Sequence, residues 1–276
     1  MENKKEETIQ PKSQGAPYWL SFLPAGVQDF LTETGETSRF AGKFFQEVFL
    51  PPYEFKEIIR QSYEIGYRSL PLVATTAFII GMVLTLQSRP TLVRFGAEAW
   101  LPAMVSVSII REIGPVVISL ICAGKIGSGI GAELGSMKVT EQIDAMEVSG
   151  TNPFKYIVVS RIISTTIMIP ILVIMGDGIA LYGSFLAVKA KGAVSFTLFF
   201  HQVFQNLDFS DVLPAIIKSF FFGFVIGLIG CYKGYNSKNG TEGVGQSANS
   251  AVVVASLLVF ILDLIAVQIT AFFGYI

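Results

Sequence analysis

Five ionisable residues stand inside stretches that are otherwise apolar: Arg111, Glu112, Asp177, Lys218 and Asp263. An ionisable group near the middle of a membrane span costs at least about 2.5 kcal/mol, so it usually faces a cavity or a partner. For Arg111, Glu112 and Lys218 two uses are open. They form a polar patch in which a cation meets an anionic ligand, or they pair between spans, as Glu112 with Lys218 would. Asp177, Glu112 and Asp263 could instead relay protons in a self-driven carrier.

Other motifs invite chemistry and fail their structural requirements. Residues 127–132 read Gly-Ser-Gly-Ile-Gly-Ala, a loose G-x-G-x-x-A match, and Glu147 lies about twenty residues on. That fingerprint needs a preceding strand, yet here an apolar block ends at Ile121, Cys122, Ala123 and Gly124. A phosphate loop fails as well, because Gly124-Lys125 is followed by Ile126 and Ser119 stands where the first glycine belongs. No nucleotide site of its own is expected in this chain. Packing explains the glycines better: Ala123, Gly127, Gly131 and Gly135 recur every four residues, and Gly223 and Gly227 repeat the spacing, which lets helices approach closely. Packing within the chain and packing between copies both suit it. His201 is the only histidine, on the polar side of an amphipathic run, so no metal site is expected. Cys122 and Cys231 sit in separate apolar blocks and read as small hydrophobes rather than a disulfide.

The elements that must hold these residues are membrane spans. Hydrophobic residues make up 51% of the 276 and charged ones 15%, against roughly a quarter charged in soluble domains. Residues 69–88 carry no charge over about the length a helix needs to cross the hydrocarbon. Four further blocks follow at residues 99–124, 156–188, 212–232 and 246–276, the third being one kinked helix or a broken one because it holds Pro170 and Gly176-Asp177-Gly178. A net charge of −1 gives no surface for nucleic acid. With the amino terminus cytoplasmic, inner segments hold Lys43, Lys56, Arg60, Arg68, Lys125, Lys138, Lys155, Arg161, Lys233 and Lys238, and outer ones only Arg89, Arg94, Lys189 and Lys191. The imbalance favours that orientation.

The expected fold is an all-α integral membrane protein with three parts: a disordered polar tail over residues 1–24, interfacial amphipathic helices over 25–66, and a five-span domain over 67–276. In residues 39–49 Phe40, Phe44, Phe45 and Val48 share a face, and Pro51-Pro52 follow; a second run groups Phe55, Ile58, Ile59 and Ser62. Outside, Phe196, Phe199, Phe200, Val203, Phe204 and Leu207 define one apolar face, expected flat on the outer leaflet or against an extracytoplasmic partner. Between spans two and three, Thr140 is expected as the N-cap of a short helix over residues 141–148, with Glu141 and Asp144 in its first turn and Gly150 and Asn152-Pro153 as its stop. Ile143 and Met146 share one face, leaving Glu141, Gln142, Asp144 and Glu147 to a partner. A helix this short is marginal alone and needs something to dock on.

Three strings carry a family resemblance: Arg-Glu-Ile-Gly-Pro-Val at 111–116, Ala-Gly-Lys-Ile-Gly-Ser-Gly-Ile-Gly-Ala-Glu-Leu-Gly at 123–135, and Thr-Glu-Gln-Ile-Asp-Ala-Met-Glu-Val at 140–148. With Gly-Met-Val-Leu at 81–84 and Glu-Gly-Val-Gly at 242–245, the chain from about Tyr53 onward resembles the MlaE family of permeases. The resemblance implies the membrane subunit of an ABC transporter in the bacterial inner membrane, moving phospholipid to or from an extracytoplasmic MCE-domain protein and contributing to outer-membrane lipid asymmetry. It implies a second copy of the chain, cytoplasmic ATPase subunits that bind ATP and magnesium, and a small STAS-type regulator, with no cofactor on this chain. By the same resemblance Glu133, Glu141, Gln142, Ile143, Asp144, Met146 and Glu147 couple to the ATPase. The lipid cavity, formed between the two copies, would include Leu84, Thr91, Leu92 and Phe95 with Arg111, Glu112 and Lys218, whose patch would then receive a phospholipid headgroup. The alternatives are a proton-coupled carrier of a hydrophobic or amphiphilic small molecule, which has no need of a coupling helix, and a membrane scaffold.

Overall fold

The computed structural model describes residues 25–51, 53–192, 194–238 and 240–272; the tail expected over residues 1–24, Pro52 and the last four residues lie outside them. The chain divides into two compact units, residues 1–45 and 46–276. Helix α1 (Ala25–Val48) starts well before the amphipathic run at 39–49. Its Thr32 and Ser38 hydroxyls donate to the carbonyls of Gln28 and Thr34 four residues back, at 2.7 and 2.8 Å, the back-bonding by which such residues are accommodated inside a helix.

Helix α2 (Phe55–Arg94) is a single helix of 40 residues, about 60 Å long, roughly twice the hydrocarbon thickness. It therefore absorbs the second amphipathic run, which is no separate helix. At its foot the apolar face points away from the bundle and the polar side packs into it. Glu57 and Gln61 are buried while Phe55 and Ile59 are 67% and 70% exposed. The buried Glu57 accepts from Arg60 at 2.7 Å, from Gln61 at 2.8 Å and from the Tyr156 hydroxyl at 3.3 Å, which satisfies the carboxylate inside the bundle.

The second span is composite. A short 3₁₀ turn at Glu98–Trp100 leads into α3 (Leu101–Ser108), a π-helical turn at Ile109–Ile113, α4 (Gly114–Cys122), a second π turn at Ala123–Gly127 and α5 (Ser128–Val139). Pro115 cannot bond the Arg111 carbonyl four residues back and would crowd it, and the first wide turn lies just there. Then come α6 (Gln142–Val148), a π turn at Phe154–Val159, α7 (Ser160–Lys191), α8 (Phe196–Asn206), α9 (Phe209–Tyr235) and α10 (Thr241–Phe272). The third span is unbroken: α7 runs through Pro170 and Gly176-Asp177-Gly178.

Helix α7 is central, packing along α2 and against α9; α9 packs on α10, and α5 contacts both α9 and α10. Small residues make these contacts. A β-carbon on Gly81 would overlap the Ala180 backbone, and Ser184 Oγ donates to the Gly81 carbonyl at 3.0 Å. Large apolar residues face outward instead, as on α10, where Ala251, Ala255 and Val259 are buried and Leu257, Phe260 and Leu264 are exposed. That inside-out distribution suits a lipid solvent.

Helix α8 begins at Ser195, whose Oγ accepts from the Leu198 N–H at 3.2 Å. Phe199 and Val203 are buried in a cluster with Leu101, Val105, Ile109 and Phe185, so the chain itself takes the middle of the face expected to lie on the leaflet or a partner. Phe196 and Phe204, at the face's edges, remain 54% and 71% exposed.

Candidate functional site

The π turn at Ile109–Ile113 places Arg111 beside Asp211 in the first turn of α9 and Glu112 beside Lys218 further along it. Lys218 Nζ lies 2.7 Å from Glu112 Oε2 and 2.9 Å from Asp263 Oδ1, its side chain 6% exposed against 44% and 18% for the two acids. Arg111 pairs with Asp211. Asp211 is buried, and its second oxygen accepts the Asp208 N–H at 3.0 Å, closing the first turn of α9. Sequence reasoning missed Asp211; the signal was the Asp208-x-x-Asp211 spacing at the head of an apolar run.

Asp177 reaches the same region from α7. Its Oδ1 has no hydrogen-bond partner among the described residues, and it fills the space that a β-carbon on Gly114 would need. Five carboxyl or cationic groups singled out by type thus converge, with Asp211 added, on a level where α4, α7, α9 and α10 meet.

An apolar cleft of about 570 Å³ between α9 and α10 adjoins this cluster, lined by Leu213, Ile217, Phe221, Ile265 and Ile269 with Lys218 at its wall. Leu84, Thr91, Leu92 and Phe95 are not among its lining residues. Leu84 and Leu92 pack instead on the cluster formed by α3, α7 and α8, while Phe95 is 81% exposed.

The second candidate surface is α6. The expected Thr140 N-cap is not formed: Thr140 ends α5, its hydroxyl donating to the Ser136 carbonyl at 2.8 Å, and Glu141 takes the left-handed conformation with φ 58°. Only two residues separate α5 from α6, so a left-handed residue turns the chain at once and leaves no extended cap position. Ile143 is buried and Met146 half-buried, while Glu141, Gln142, Asp144 and Glu147 face solvent. Asp144 pairs with Lys138 of α5 at 2.9 Å, and Glu133 with Arg161 of α7 at 2.5 Å.

The glycines beneath this surface pack within the chain. A β-carbon on Gly131 would lie 3.2 Å from the Ala251 β-carbon, one on Gly135 2.9 Å from Ser247 Oγ, and one on Gly223 2.7 Å from the Thr165 carbonyl oxygen. Gly227 would overlap the Thr165 side chain, while Gly127 has only ordinary contact with Ile226. His201 is exposed, and Cys122 and Cys231 are buried free thiols.

Five long apolar helices, charges held between them and no strand among the described residues define an all-α integral membrane protein. The profile of the permease MlaE family matches residues 58–269, and the chain belongs to that family. A Rickettsia typhi protein named a probable ABC transporter permease is 41% identical over 232 residues, covering 84% of this chain and 90% of its own length. The Haemophilus influenzae intermembrane phospholipid transport system permease protein MlaE is 36% identical over 218 residues, covering 78% and 83%. A probable ABC transporter permease of Synechocystis is 33% identical over 220 residues, covering 80% and 84%.

Proposed function

We propose that this chain is the permease subunit of an ATP-driven phospholipid transporter. It works as a pair of copies in a bacterial inner membrane with its amino terminus cytoplasmic. Separate ATPase subunits bind ATP and magnesium and receive α6; an extracytoplasmic MCE-domain protein exchanges lipid with the cavity, and a STAS-type regulator completes the assembly. Traffic of this kind would sustain outer-membrane lipid asymmetry.

The observation that carries this reading is the apolar cleft that adjoins Lys218. A phospholipid pairs acyl chains with a charged head; the cleft pairs apolar walls with Lys218, which also lines a small neighbouring pocket together with Glu112 and Arg111. Glu112 and Arg111 keep 44% and 35% of their side chains accessible despite their ion pairs, leaving them able to meet a headgroup. The solvent-facing acids of α6 support the second half of the reading, since a membrane subunit without a nucleotide site must take its work from a contact. The name of the Haemophilus relative agrees in substrate class.

The test is purification of the chain with its ATPase subunit, followed by mass spectrometry of retained lipid and transfer assays in vesicles. Phospholipid should be retained, and Glu141→Lys with Asp144→Lys should abolish ATPase co-purification. Lipid movement that persists in that variant would favour the proton-coupled carrier; no bound lipid, with flux unchanged in Leu92→Trp, would favour a scaffold.

A further inference from the structure

We infer that Arg161 is a positioning residue for energy coupling: paired with Glu133, it is the strut that carries displacement of α6 into α7 and from there into the ion cluster. This rests on the proposed coupling role of α6 and adds the route by which it acts.

Helix α6 is fastened to α5 by buried Ile143 and by Lys138 with Asp144 at 2.9 Å. From α5, Glu133 reaches across to Arg161 at 2.5 Å. The burial of this pair is lopsided, with the Arg161 side chain 4% exposed and that of Glu133 58%. A guanidinium withdrawn from water cannot exchange its carboxylate for solvent cheaply, so the contact resists separation. The carboxylate side remains solvated and can pivot. Such a joint transmits position while tolerating a change of angle.

Arg161 lies in the first turn of α7, where the helix is bound on two further sides. Ser164 Oγ donates to the Ile58 carbonyl of α2 at 2.9 Å. One turn along, Ile162 and Thr165 form the surface on which Gly223 and Gly227 of α9 sit: a β-carbon at 227 would lie 3.1 Å from Ile162 Cα, and one at 223 would lie 2.7 Å from the Thr165 carbonyl oxygen. Backbone contacts this close leave no slack for side chains to absorb a shift. Displacement of the α7 foot is therefore handed to α9 a little more than one turn from Lys218, which holds Glu112 and Asp263. The wide π turns at Ala123–Gly127 and Phe154–Val159 flank the strut on both helices, where such turns often mark functional sites.

The test uses the full complex in vesicles of phosphatidylethanolamine and phosphatidylglycerol, reading ATP hydrolysed and labelled phospholipid transferred from one sample. Arg161→Met should retain the co-purified ATPase, and Arg161→Met and Glu133→Ala should each lower lipid moved per ATP about 5-fold or more. The double variant should be no worse than either single, because the two side chains act as one joint. A purely structural role would reduce folded complex and both activities together, leaving the ratio intact. An unchanged ratio, or losses that multiply in the double variant, overturns the strut. If a single variant melts early, Glu133→Gln removes only the charge and the same ratio decides. Failure of the wild-type complex to transfer lipid with ATP would remove the coupling reading, and the strut with it.

Discussion

The mid-bundle cluster and the Lys138–Asp144 pair that ties α6 to α5 use the same kinds of side chain under opposite conditions. Lys218 is 6% exposed and grips two carboxylates, whereas Lys138 and Asp144 are 34% and 55% exposed and grip only each other. In the first place water cannot replace a lost partner; in the second it can. Charge in the apolar interior thus fixes which helices stay together. The exposed Lys138–Asp144 pair stabilises little, and the acids of α6 remain available to a surface that arrives from outside.

The largest effect should come from Lys218→Met, which leaves Glu112 and Asp263 sharing a desolvated site with no cation between them. A destabilisation of about 3 kcal/mol is expected, the lower bound for a broken buried pair because Glu112 is partly solvated. Equilibrium unfolding in mixed micelles measures it, and wild-type stability would show that the cluster does not hold α4, α9 and α10 together. Asp211→Asn comes next. It removes the charge facing Arg111 but keeps an acceptor for the Asp208 N–H, and Arg111 is 35% exposed, so about 1.5 kcal/mol is expected, the low end for a hydrogen bond to a charged group. An effect equal to that of Lys218→Met would erase the gradient with burial on which the contrast depends.

The same contrast marks what the sequence could disclose. Span lengths and the α8 face are local signals, visible as apolar runs and as a 3.6-residue period. Glu112 with Lys218 was one of two open readings, because residue type announces a partner without naming it. Arg111 with Asp211 joins positions 100 apart, which no local pattern encodes. At the foot of α2 periodicity shows that Phe55 and Ile59 share a face, but not that Glu57 on the other side packs against the bundle, because its partner Tyr156 lies 99 positions away. At Thr140 residue preference favoured a cap, and the two-residue connection between α5 and α6 overrode it.

At the α6 end the expected effects are small. Lys138→Gln should cost under about 1 kcal/mol, and the difference from wild type should vanish at high salt, as for other exposed pairs. A loss that persists in salt would place this pair with the buried ones and undo the division between the two regions.

The smallest effects belong to the turn into α6. A cap residue replaced by alanine costs typically about 1 kcal/mol, yet the Thr140 hydroxyl bonds back to Ser136 within α5 and holds no α6 amide. Thr140→Ala should therefore change stability by no more than about 0.5 kcal/mol. Glu141→Gly relieves a left-handed conformation worth roughly 1 kcal/mol and loosens the unfolded chain by a similar amount, so it too should be nearly neutral. Both variants should keep wild-type unfolding curves. If Thr140→Ala proved as costly as a lost cap, α6 would be held by its own end rather than by Ile143 and its seat on α5, and it could not serve as a surface-borne helix fastened from beneath.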